Sequence, residues 1–145
     1  MEGQVIAIIG IAICVLFCGI GSCLGLHKTA TTAAGVLSED PKKFGKVMVL
    51  VLLPATQGIY GFIIGIIASG NVTAAMTAAE GWTLFAAVLP MAISGLVSAI
   101  IQGIASANCI CAVGKQESLS GKLIVYPGMI EFYAILGLII SIMLV

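Results

Sequence analysis

The sequence predicts an all-α membrane protein: four transmembrane helices arranged as two tandem hairpins. Three observations lead there. The 145 residues are 61% hydrophobic and only 8% charged, with a mean hydropathy of +1.24, well beyond the range of a water-soluble domain. Four apolar stretches each reach the roughly 20 residues that an α-helix needs to cross a bilayer. Short polar or charged segments separate them, and the two halves repeat one pattern.

Composition excludes several function classes. Six lysines and six acidic residues cancel to a formal net charge of zero, so the chain writes no basic face for nucleic acid. Four spans leave little length for a separate catalytic domain. No Gly-x-x-x-x-Gly-Lys-Ser/Thr phosphate loop occurs, so a catalytic site within this chain is not expected.

The first helix is expected over residues 4–36. MEGQVIAIIG lacks the early Lys or Arg of a cleaved leader, so this stretch reads as a retained span. Gly19, Gly21 and Gly25, continued by Ala30, Ala33 and Ala34, form a small-residue strip that permits very close helix contact. SEDPKK ends it, with Asp40 before Pro41 as a turn or helix-start signal. The second helix is expected over 45–69 and carries Pro54. GNVTAAMTAAE connects it to a third over 81–113, and GKQESLS leads to a fourth over 121–145. The hairpins thus divide as residues 1–72 and 73–145.

Charge orients this arrangement. Lys28, Lys42, Lys43, Lys46, Lys115 and Lys122 all lie in or near the first and third connections, whereas the opposite side carries Glu2 and Glu80. The positive-inside rule then places the 1–2 and 3–4 loops in the cytoplasm and both termini outside. The halves echo each other: KLIVYPGMIEFYAIL answers VLVLLPATQGIYGFI, and ISGLVSAI answers FCGIGSCL. Matching on the prolines or on the Gly-Lys pairs gives registers that differ by three residues. In either, only the second hairpin keeps a carboxylate in mid-membrane.

That carboxylate is Glu131. An ionisable group near the bilayer centre costs about 3 kcal/mol or more, so such residues usually mark an ion or proton pathway. Counting 1.5 Å per residue from the cytoplasmic helix ends puts Glu131, Gln57 and Gln102 each roughly 15 Å deep, on three different helices. Thr56 and Tyr60 share a face of the second helix with Gln57. Pro54 cannot donate to the Leu50 carbonyl, which leaves backbone carbonyls of this region free. A buried phenol seeks a partner, and Glu131 lies within reach of Tyr60. A proton needs only a carboxyl and one acceptor. Two amides and a hydroxyl are hard oxygen donors, and they favour sodium. The competing reading of each Gln or Thr alone is interhelical hydrogen-bond glue. Tyr133 reads as an ordinary packing residue.

LLPATQGIYGF (Leu52 to Phe62), IIQG (Ile100 to Gly103) and IEFYAILG (Ile130 to Gly137), together with the PKKFGK loop, resemble the K subunit of sodium-transporting V-type ATPases. That family is a duplicated four-helix proteolipid that forms a membrane rotor ring. The resemblance implies Na+ bound by Glu131, Gln102, Gln57, Thr56 and the Leu53 carbonyl, with Tyr60 closing the site on Glu131. It also implies a ring of identical subunits in the lipid bilayer, helices 1 and 3 on the inside and 2 and 4 outside. The partners would be a stator subunit presenting a charged residue, an Arg, and the central stalk of an ATP-driven pump, in a bacterial plasma membrane. Phe132 departs from the small polar residue expected beside the glutamate. Two alternatives remain in this reading: the same rotor carrying H+, and a small four-helix proton-coupled exporter. A third is a structural assembly factor that transports nothing.

Five cysteines are not expected in such a family. Cys14 and Cys18 share a helix face, and a soft-metal or redox role is conceivable, but all five read as small polarisable packing residues. His27 and Lys28 are expected at the membrane interface.

Overall fold

The computed structural model describes residues 2–145. It contains four long helical spans: α1 (Glu2–Glu39), α2 (Pro41–Ser69), α3 (Ala78–Lys115) and α4 (Glu117–Leu144). Each begins earlier than the apolar pattern alone predicts, and α1 and α3 also end later. The reason lies in the caps. Thr77 and Glu80 form a reciprocal capping box in which Glu80 Oε2 accepts from Thr77 N at 2.7 Å, and this starts α3 at Ala78, ahead of the expected Gly81. Asp40 accepts from Lys42 N at 3.1 Å, and Pro41 opens a 3-10 turn that leads straight into α2.

α1 and α3 run parallel, side by side, because their shared face is built from small residues. Gly3 abuts Gly81, Gly10 abuts Phe85, and Gly25 abuts Gly103 so closely that a Cβ on Gly103 would fall on the Gly25 backbone. The buried positions of α1, from Gly3 through Ala7, Gly10, Cys14 and Cys18 to Gly25, recur every three or four residues, the spacing of one helix face. α2 returns in the groove between α1 and α3, and α4 packs along α3 and closes on α2. Two apolar clusters fill the interior. One centres on Cys14, Cys18, Ile64 and Met91, the other on Val47, Leu50, Ile110 and Val113.

Side chains latch both ends. Lys43 Nζ donates to the Gly114 carbonyl at 2.7 Å, Ser120 Oγ to the Lys46 carbonyl at 2.7 Å, and Asn71 Nδ2 to the Val145 carbonyl at 2.7 Å. The interior proline of α3, Pro90, does not break that helix. Ser141 of α4 accepts from Met91 N at 3.1 Å, so the disturbed backbone keeps a partner. Large apolar side chains such as Leu16, Ile59, Phe62 and Leu136 point outward on every span, as lipid or neighbouring copies require. Tyr133, read from sequence as a packing residue, is 69% exposed and faces outward with them. His27 and Lys28 are exposed.

Placing a branched side chain at the α1–α3 contact should separate the helices. Gly103→Val is expected to lower the heat stability of the protein in mild detergent, at a cost of about 1–3 kcal/mol. Gly121→Ala, where an added Cβ would meet nothing beyond its own helix backbone and chain neighbours, should not lower the same melting midpoint.

Candidate functional site

Proline chemistry shapes the site. Pro54 lacks an N–H, and around it α2 tightens from α-helix into a 3-10 turn over Leu53–Ala55 before resuming as α-helix from Thr56 to Ser69. The turn sets the Leu53 carbonyl and the Thr56 side chain together. Thr56 Oγ1 donates its proton to that carbonyl at 2.9 Å and lies 3.3 Å from Gln57 Oε1.

Gln57 is fully buried and reaches across to α3, where its Nε2 donates to Gln102 Oε1 at 2.7 Å. Gln102, also fully buried, spends its own amide protons on α4. Its Nε2 donates to the Pro127 carbonyl at 3.0 Å and approaches Glu131 Oε2 at 3.5 Å. The second carboxylate oxygen, Oε1, accepts from Tyr60 Oη at 2.7 Å. Six residues from three helices thus form one continuous polar set. It runs from the Leu53 carbonyl through Thr56, Gln57 and Gln102 to Glu131 and Tyr60. Their surroundings are apolar, so each of these contacts is stronger than it would be in water.

All six sequence-predicted residues therefore meet: Leu53, Thr56, Gln57, Gln102, Glu131 and Tyr60. Glu131 and Tyr60 are part-buried on the outer side of the α2–α4 layer, while the two amides lie inside it. Donors of this kind, carboxylate, amide, hydroxyl and carbonyl oxygen, suit a hard cation held on one side by protein. Among the described residues no three His, Cys, Asp or Glu side chains converge, so the site offers nothing to a soft transition metal.

The sequence reading missed the Pro127 carbonyl as the anchor of Gln102. The signal was present, since a proline stands four residues before Glu131 as one stands three before Gln57. Nor did it find Cys109, whose thiol donates at 3.6 Å to the Leu123 carbonyl, the one that Pro127 leaves without its helical donor. The five cysteines are free thiols; Cys14 and Cys18 are buried, and the Cys18 side chain lies against Gly61 and Gly95.

Comparison with known proteins agrees in both halves of the chain. The family model for the C subunit of ATP synthase matches twice, over residues 9–68 and 85–144. Residue 9 so answers to 85 and 68 to 144, the register in which Gly45-Lys46 answers Gly121-Lys122. The K subunit of the V-type sodium ATPase of Enterococcus hirae is 40% identical over 143 residues, covering 99% of this chain and 92% of that one. The K subunit of the A-type ATP synthase of Methanocaldococcus jannaschii is 38% identical over 144 residues, 99% of this chain and 63% of its own length. The human 16 kDa proteolipid of the V-type proton ATPase is 21% identical over 138 residues, 95% and 89% respectively.

The Tyr60 hydroxyl should control access to the acid. Tyr60→Phe removes the donor to Oε1 while keeping the ring's packing. It is expected to speed labelling of Glu131 by a hydrophobic carbodiimide several-fold, in line with the loss of a hydrogen bond to a charged group. An unchanged labelling rate, measured by mass spectrometry of the protein, would contradict that role.

Proposed function

The chain belongs to the ATP synthase C-subunit family and is a rotor proteolipid of a V- or A-type ATPase; from that premise we propose that its cargo is Na+. The ion is held by the Glu131 carboxylate, the side-chain oxygens of Gln102, Gln57 and Thr56, and the Leu53 carbonyl, with Tyr60 closing the site. The observation that carries this reading is the pair of buried amides joined to the carboxylate through one hydrogen-bonded set. Proton transport requires the acid and one acceptor. Two glutamines and a threonine beside the acid add the further hard oxygens that a cation needs and a proton does not.

The mechanism follows from charge. An ionised Glu131 facing lipid is costly, and a bound monovalent cation neutralises it. The loaded subunit can then turn through the bilayer as part of a ring of identical copies. A positively charged stator residue, an Arg on a partner subunit, competes for the carboxylate and releases the ion on the other side. ATP hydrolysis takes place elsewhere in the complex and reaches this ring through the central stalk. The lysine-bearing 1–2 and 3–4 loops lie in the cytoplasm and the termini outside, in a bacterial plasma membrane. Each half, residues 1–72 and 73–145, acts as one hairpin unit, and the second supplies the acid.

Ion competition for Glu131 gives the test. Na+ should protect Glu131 from carbodiimide labelling in the purified ring, more effectively at higher pH, where protons compete less. K+ should not protect. Gln102→Ala should raise the half-protective Na+ concentration about tenfold or more while the ring still assembles, as judged by its size in mild detergent. Equal protection by K+, or none by either ion, would refute the sodium assignment and leave the proton as cargo.

A further inference from the structure

We propose that a notch on α1, formed by Ser22, Gly25 and Thr29, is the positioning element of the ion site, although none of the three touches the acid. The three residues share one face of α1, and all are buried. Thr29, fully buried, has its Oγ1 3.0 Å from the Val51 carbonyl and 3.0 Å from the Leu26 carbonyl of its own helix, so its single proton is shared between α2 and α1. Ser22, 6% exposed, accepts at Oγ from Gly58 N at 2.7 Å. These two bonds grip α2 on either side of the Leu53–Ala55 turn. Between them Gly25 leaves room for the proline: a Cβ there would stand 2.6 Å from Pro54 Cβ.

The backbone logic explains why α1 must supply these groups. In an uninterrupted α-helix the Val51 carbonyl would bond Ala55 N, and Gly58 N would bond the Pro54 carbonyl. Where α-helix passes into a 3-10 turn and back, such pairings fall out of register, and a buried backbone group needs another partner. Thr29 and Ser22 provide one on each flank. The turn they hold carries the Leu53 carbonyl, Thr56 and Gln57, which are three of the five proposed oxygen sources.

The second hairpin is held differently: Cys109 Sγ approaches the Leu123 carbonyl at 3.6 Å before Pro127, but no hydroxyl of α3 bonds α4 on the far flank. In the register of the family match, Ser98 answers Ser22 and Ala105 answers Thr29. Ser98 Oγ bonds only the Gly95 carbonyl of its own helix, at 3.5 Å, and Ala105 has no hydroxyl. There Gln102 grips the proline-region carbonyl instead, and it belongs to the site itself. The pair of hydroxyls with a glycine between them is therefore particular to the half that presents ligands without an acid.

The inference rests on the sodium reading for its first readout. Ser22→Ala and Thr29→Val should each raise the half-protective Na+ concentration for Glu131 labelling about tenfold, the effect typical of groups that orient metal ligands. Thr29→Ser, which keeps the hydroxyl, should restore the wild-type value, and all three rings should keep their normal size in mild detergent. Assembled Ser22→Ala and Thr29→Val rings with wild-type Na+ protection would overturn the proposal. If Na+ fails to protect the wild-type ring, the sodium reading falls by itself. The notch is then judged on the pH of half-maximal labelling in sodium-free buffer. Ser22→Ala and Thr29→Val must shift that pH, with Thr29→Ser unshifted; an unchanged profile in both would overturn it.

Discussion

A carboxylate held at mid-membrane is the constraint from which the remainder follows. Glu131 cannot rely on water, so every oxygen it presents must be met by protein, by an ion or by a proton. The structure meets them from two directions, Tyr60 on one oxygen and Gln102 near the other. Gln102 is in turn fixed by Gln57 and by the Pro127 carbonyl. Remove the acid and the two amides have no reason to be buried together between three helices. Keep it, and a polar set spanning those helices becomes the least costly way to seat it.

Two backbone devices make that seating possible. Prolines at 54 and 127 interrupt helical bonding near the level of the acid and expose carbonyls toward the interior. Small residues along α1 and α3 let those helices touch, so that α2 and α4 converge over them and the side chains of Gln57 and Gln102 can meet. Neither device suffices alone. Prolines without close packing would leave unsatisfied carbonyls in lipid, and close packing of uninterrupted helices would present no backbone oxygen.

Much of this was legible from residues. The depth count placed Glu131, Gln57 and Gln102 together because helix rise is regular, and the four spans followed from apolar length alone. Asp40 before Pro41 was legible as a helix start, but Thr77 was not, since its capping box lies among small polar residues that hydropathy does not register. Pro54 was visible as a disturbance, but its outcome as a 3-10 turn supported by Ser22 and Thr29 was not. Contacts of that kind depend on how α1 is rotated against α2, and a small-residue strip fixes proximity without fixing rotation. The outward direction of Tyr133 was hidden for a related reason: an aromatic on an apolar helix gives no sign of which side faces outward.

A density map of the intact ring in saturating Na+, compared with one in K+, tests the central claim most directly. The account predicts, in Na+ alone, one ion per subunit enclosed by oxygens of Glu131, Gln102, Gln57, Thr56 and the Leu53 carbonyl. A map in which Gln57 and Gln102 still bond only each other and their neighbours, with no ion beside Glu131, would contradict it.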